Sequence, residues 1–175
     1  MLRRAYLLAL SLLMLTSVPA SALQGGDEAV PPVTAPIPIS QMLRNAGYTI
    51  SADEGTFLDA DERLTDQFVT PVLTVELQAP FANDEFSRQV IMSELRKIVA
   101  LDPGAAGTAP ASLSEVARLS VVRRSAIRQA AQGWLTGLES NDPSWVVRGS
   151  DAYTTARQAE ADWYSALRQR LGGSP

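Results

Sequence analysis

The chain has 175 residues, 46% of them hydrophobic and 19% charged, with a formal net charge of −4. That balance excludes wholesale disorder, which needs low hydrophobicity and high net charge, and it excludes a polytopic membrane protein, because only about the first twenty residues are continuously apolar. With no Cys and no His, disulfides, thiolate nucleophiles, Cys/His zinc sites, haem–His ligation and His-based triads have no atoms to work with.

Residues 1–22 read as a secretory leader. Arg3 and Arg4 form a charged start, residues 5–18 an apolar stretch, and Ala20 and Ala22 the small-residue spacing of a cleavage site. The expectation is cleavage after Ala22 and a periplasmic or secreted mature chain. No Cys follows the apolar stretch, so the lipid attachment of a lipoprotein is not expected. Loss of Arg3 and Arg4 leaves 13 basic residues against 19 acids, a mature net charge of −6. Such a chain is a poor ligand for nucleic acid or an anionic membrane surface. Contact with a membrane is expected only through a partner.

Residues 23–38 hold Gly25, Gly26, Pro31, Pro32, Pro36 and Pro38, too many helix breakers to fold as a regular element, and read as an extended tether. Residues 39–175 are expected to form one compact domain, since either half alone would bury too little surface. A short helix follows, with Ser40 as cap, Met42 and Leu43 facing inward, and Gly47 as its left-handed end. Residues 48–50 suggest a strand. The acidic segment over 51–67 carries Asp53, Glu54, Asp59, Asp61, Glu62 and Asp66 and reads as a solvated helix start and loop. The β-favouring run over 68–77 alternates from Leu73 to Leu77 and suggests a second strand, pushed to a sheet edge by Pro71.

Three amphipathic helices are predicted next. The first spans about 84–100 behind an Asn83 cap, with Phe86, Val90, Ile91, Leu95 and Ile98 near helical spacing. A loop over 102–111 leads to Ser112, Leu113, Ser114 and Glu115, a capping-box pattern. The second helix then runs to about Leu138, with Gly133 and Gly137 allowing close approach of another segment near its end. A break at Asn141, Asp142 and Pro143 precedes the last helix, about 150–171, whose stripe includes Tyr153, Ala156, Trp163 and Leu167. The fold class expected is therefore α+β, predominantly helical, with short N-terminal strands before three amphipathic helices.

Catalytic patterns are weak. The acidic segment fails the EF-hand spacing because Arg63 and Leu64 stand where the third ligand and the Gly should be; whether Asp59, Asp61 and Asp66 hold calcium stays open. Glu76, Glu85, Glu94 and Glu115 could supply a carboxylate pair for hydrolysis, but nothing in the sequence sets two of them across one bond. There is no G-x-S-x-G elbow, no S-x-x-K, no phosphate loop and no dinucleotide fingerprint. No cofactor and no metal is expected.

Binding patterns are stronger. Arg118, Arg123, Arg124 and Arg128 lie on one predicted helix. They suit either solvation opposite the apolar stripe or a clamp on an acidic partner, including the acidic segment of the same or another copy. Trp134 and Trp163 have core spacing. Trp145, in a connector beside Val146 and Val147, is the better interface anchor. Arg123, Arg124, Arg128 and Trp145 are thus the candidate binding residues.

Residues 38–50, with the helix start at Pro38, Ile39 and Ser40, then Gly47, then Tyr48, Thr49 and Ile50, resemble the short helix–Gly–strand unit of secretin-type N-domains. The resemblance covers 13 of 175 residues and implies at most a secretion- or pilus-machinery component. The long helices beyond it depart from that family's pattern, so no residue roles carry over. The function expected is an exported, non-enzymatic binding or assembly subunit of the cell envelope, its partner another protein or a second copy of itself. A carboxylate- or metal-dependent hydrolase is the alternative.

Overall fold

Ser51 sets where the first long helix begins. Its Oγ accepts the Glu54 backbone N–H at 3.2 Å, and the Glu54 carboxylate accepts the Ser51 N–H at 2.9 Å. This reciprocal cap satisfies two donors that a helix start would otherwise leave bare, and Asp53 and Glu54 complement the positive end of the helix. In this computed structural model, which describes residues 36–104 and 106–172, the helix then continues without a break through the acidic segment and the β-favouring run. The α helices are α1 (Ile39–Asn45), α2 (Ala52–Gln78), α3 (Glu85–Ala100), α4 (Ser114–Glu139) and α5 (Ser150–Arg170), with single 3₁₀ turns at Ala79–Phe81, Ala111–Leu113 and Trp145–Gly149.

The described residues contain no strand, so the expected α+β class is overturned in favour of an all-helical fold. Residues 48–50 are an unpaired connector ending in the Ser51 cap, which also removes the strand from the helix–Gly–strand resemblance. Residues 68–77 are helical because Phe68, Val72 and Val75 continue the buried stripe begun by Phe57 and Leu58. Burying each such side chain is worth about 1.5–3 kcal/mol, whereas the helix preference a Val gives up is only a few tenths of a kcal/mol. The alternation of Leu73, Val75 and Leu77 misleads, for Val75 is buried while Leu73 and Leu77 face solvent. Pro71 lies inside α2 despite the usual helix-interior cost of about 3 kcal/mol.

Helix starts also differ from the expected caps, and at Ser40 and Ser112 the cause is a tertiary bond. Ser40 is buried and binds Asp59 through both its N–H, at 2.9 Å, and its hydroxyl, at 2.7 Å; Pro38 precedes α1 instead, and Met42 is exposed. Ser112 gives its hydroxyl to Glu54 at 2.5 Å and Glu115 pairs with Arg118, so the predicted capping box does not form. Asp84, not Asn83, caps α3 by accepting the Ser87 N–H at 2.9 Å. The expected left-handed end at Gly47 holds, with φ of +87°, and Gly172 closes α5 in the same way at +92°.

The interior has two apolar lobes. The larger joins Phe68 and Val72 of α2, Ile91 and Leu95 of α3, and Ile127, Trp134 and Leu138 of α4 with Trp145. The smaller joins Phe57 and Leu58 of α2, Val116 and Leu119 of α4, and Trp163 and Leu167 of α5. Along every shared helix buried polar side chains stand between the two: Asp61 and Thr65 on α2, Ser120 and Arg124 on α4, and Glu160 on α5. Of the helix pairs, α4 and α5 share the most extensive contact. The expected leader over 1–22 and the tether up to residue 35 lie outside the described residues. No described helix is long and apolar enough to cross a membrane.

The turn Trp145–Gly149 lies directly on α4. A Cβ on Gly133 would stand 2.6 Å from the Arg148 carbonyl oxygen, and one on Gly137 2.7 Å from the Trp145 Cα. Trp134 holds the same turn by donating its indole N–H to the Val146 carbonyl at 2.8 Å. Gly137→Ala should therefore destabilise the protein by about 1–3 kcal/mol in urea unfolding, because the clash outweighs the roughly 1 kcal/mol that Ala gains in a helix. An unchanged or raised midpoint would show that the turn does not press on α4.

Candidate functional site

The polar stretch between the lobes is built around Arg124, whose side chain is wholly buried. Its Nη1 donates to Asp61 Oδ1 at 2.7 Å and to Thr65 Oγ1 at 3.0 Å; Nη2 donates to the Gly104 carbonyl at 2.8 Å and Nε to the Pro103 carbonyl at 3.2 Å. The second Asp61 oxygen accepts the Ser120 hydroxyl. Asp61 and Thr65 fall one turn apart on α2, as Ser120 and Arg124 do on α4, so the four meet face to face. No buried side-chain nitrogen or oxygen among the described residues lacks a partner, the condition under which a buried charge is tolerable.

Beside this pair, and nearer the surface, Arg123 binds Glu160 of α5 at 2.7 Å. Glu62 and Asp66 share its field. Burial pushes the Glu62 carboxyl above its ordinary range, and the negative charge of Asp66 adds to that, against the pull of Arg123. Burial likewise raises Asp66, with Arg123 opposing. A second staple closes the far end of the smaller lobe. Glu54, 2% exposed, accepts from Ser112, from the Ser51 backbone and from Arg170 Nε at 2.7 Å. These bonds, the Ser112 hydroxyl foremost, bring its carboxyl down to about 2. One carboxylate thus ties the start of α2, the turn before α4 and the end of α5.

The four binding candidates read from the sequence are all held within the chain. Arg124 meets the acidic segment of its own molecule instead of a solvated face. Arg123 is engaged by Glu160, and Arg128 donates through Nε to the Val99 carbonyl at 2.9 Å. Trp145 is 7% exposed and belongs to the larger lobe. The four carboxylates considered for hydrolysis are dispersed: Glu76 accepts from Tyr153, Glu85 from Gln89, Glu94 pairs with Lys97 and Glu115 with Arg118. Asp59 and Asp61 are engaged by Ser40 and Arg124, and no group of three metal-ligating side chains converges among the described residues.

What the sequence reading passed over is an exposed apolar end on the α2–α3 hairpin. Leu73 is 44% exposed, Leu77 72%, Phe81 61% and Phe86 72%. The first three repeat every fourth residue, a signal that was present but was masked by reading the run as a strand. Two open hollows also occur: one of about 460 Å³ between residues 46–49 and 170–172, one of about 420 Å³ between α4 and α5 beside Arg118 and Asp162. No protein-family model, curated protein or solved structure matches this chain.

Removing one partner of the buried pair should be far worse than removing both. Arg124→Ala or Asp61→Ala should each cost about 3–5 kcal/mol in urea unfolding, and the double replacement Arg124→Met with Asp61→Leu should recover most of it. Additive losses would mean the two charges are not coupled.

The pH dependence has two limbs. Glu54 titrates lower in the folded chain than its ordinary 4.5, so its contribution is complete above pH 4.5 and is lost as the pH falls toward 2. Glu62 and Asp66 titrate higher when folded. The folded state therefore binds their protons first, and stability rises as the pH drops from neutral through those raised values. Urea midpoints should accordingly peak in mild acid. Glu62→Gln should raise the neutral midpoint and flatten the first limb, and Glu54→Gln should flatten the second.

Proposed function

We propose that this chain is an exported, non-enzymatic binding or assembly subunit of a cell-envelope complex, working by docking. The leader-like start and the Pro- and Gly-rich stretch after it support export and a domain held at some distance from its attachment. The observation that carries the docking reading is the exposed apolar set at the hairpin end. Burying one Leu or Phe is worth about 1.5–3 kcal/mol, and here four exposed ones fall between residues 73 and 86, around the turn of a hairpin whose Phe68, Val72, Ile91 and Leu95 are buried. Scattered single apolar residues need no explanation, but such a set around one turn favours a contact surface.

This reading moves the proposed contact away from the Arg-bearing face of α4 and from Trp145, because those side chains already bind within the fold. Val147, 70% exposed on the turn after Trp145, is the part of that connector left for an outside contact.

Two measurements test the proposal together. Intact mass of the chain recovered from an envelope fraction should correspond to residues 23–175. On native gels of gently solubilised envelopes it should migrate in an assembly larger than its own mass, and Phe81→Ser with Phe86→Ser should return it to the free form. Thermal midpoints should move little, since exposed substitutions usually change stability by within about 0.5 kcal/mol. A full-length chain in the cytoplasm, or migration as the free form in the parent, would overturn it.

A further inference from the structure

The exposed end of the α2–α3 hairpin has a single sign of charge. Between Arg63 and Arg88 the chain carries Asp66, Glu76, Asp84 and Glu85 and no Lys or Arg. Three of these acids flank the exposed apolar side chains directly in sequence: Glu76 next to Leu77, and Asp84 and Glu85 just before Phe86. Their hydrogen bonds come from neutral donors, Tyr153 to Glu76, the Ser87 N–H to Asp84 and Gln89 to Glu85. Among the described residues none of the three forms an ion pair. The cation that closes this stretch is directed elsewhere: Arg88 donates to the Leu138 carbonyl and to Asn141 at the far end of α4.

The apolar surface is also held in place before anything binds. Leu73 and Leu77 are one turn apart on a continuous helix. Phe81 sits in a turn whose carbonyl accepts the Asp84 N–H at 2.9 Å, and the Ala79 carbonyl accepts the Ala82 N–H at 3.2 Å. Phe86 follows in the first turn of α3, just after its Asp84 cap. A preorganised surface loses little freedom on binding.

Charge decides among the occupants. A second copy meeting this face would set carboxylates against carboxylates at a drying rim, where repulsion is strongest. An anionic bilayer would be repelled in the same way. Resting on the docking role proposed above, we propose that the α2–α3 hairpin end binds an amphipathic segment of a different protein, with an apolar face flanked by Lys or Arg. Leu73, Leu77, Phe81 and Phe86 would take the apolar face, and Glu76, Asp84 and Glu85 its basic flanks.

Site-specific photo-crosslinking of the full chain in producing cells tests this. A photoreactive phenylalanine analogue is placed, one position at a time, at residues 77 and 86, and at the exposed positions 132, 147 and 161 for comparison. The expected result is one protein adduct from 77 and 86, absent from 132 and 161, whose linked peptide carries an apolar face with Lys or Arg beside it. Glu85→Lys should lower the yield about tenfold, and Glu85→Gln by less, at unchanged thermal midpoint. Adducts to lipid, to a second copy, or to a segment without basic residues would overturn the inference, as would a yield that Glu85→Lys leaves unchanged. Protein adducts from 132, 147 or 161 alone would also overturn it while sparing the docking role. Absence of protein adducts from every position would remove both.

Discussion

The ion pair of Arg124 and Asp61 is the constraint around which the rest of the fold is arranged. A guanidinium with no solvent exposure is tolerable only if its charge and its donors are met inside, and this one is met by a carboxylate, a hydroxyl and two backbone carbonyls. Those partners come from α2 and the loop after α3, and Arg124 itself from α4. Any sliding of α4 along α2 by a turn would bury unpaired charge, which costs far more than mismatched Leu against Leu. The two apolar lobes supply the bulk of the driving force, and the polar stretch between them selects one register. The Glu54 staple does the same at the end of the smaller lobe, bringing together three segments distant in sequence.

Much of the molecule's chemistry is thereby turned inward. The arginines that looked like a docking face are bound within the chain, and the acidic segment that looked like a solvated loop supplies the counter-charge of Arg124. Both were complementary for a real reason, since an acid-rich first half and a slightly basic second half attract. The attraction is satisfied within one chain. What remains on the outside at the α2–α3 hairpin is different in kind: apolar side chains beside carboxylates that form no ion pair among the described residues. This division between a self-satisfied interior and an unsatisfied edge is the physical basis for reading the chain as a docking protein.

The carboxylates between the lobes also show why raised pKa values alone do not make a catalytic site. Glu62 is displaced by burial and by the charge of Asp66, and Asp66 by burial, yet the Arg123–Glu160 pair beside them completes a structural ionic cluster spanning three helices. Networks of this kind perturb titration as active sites do. Here the surrounding geometry is that of a seam between helices.

Local rules read directly from the residues set the helices after position 84, the glycine after α1, the close approach at Gly133 and Gly137, and the core placement of Trp134 and Trp163. These depend on spacing and on backbone freedom, which are properties of short stretches. Composition alone also removed every imidazole and thiol chemistry. Tertiary structure decided the rest: that residues 51–78 are one helix, that Ser40 and Ser112 bind distant carboxylates, that Arg124 and Trp145 are inside, and that Leu77 and Phe86 are outside. The reason is energetic. Differences in propensity between helix and strand are tenths of a kcal/mol per residue, whereas burial and ion pairing are worth several, and both depend on partners distant in sequence, from 19 residues for Ser40 and Asp59 to 63 for Arg124 and Asp61.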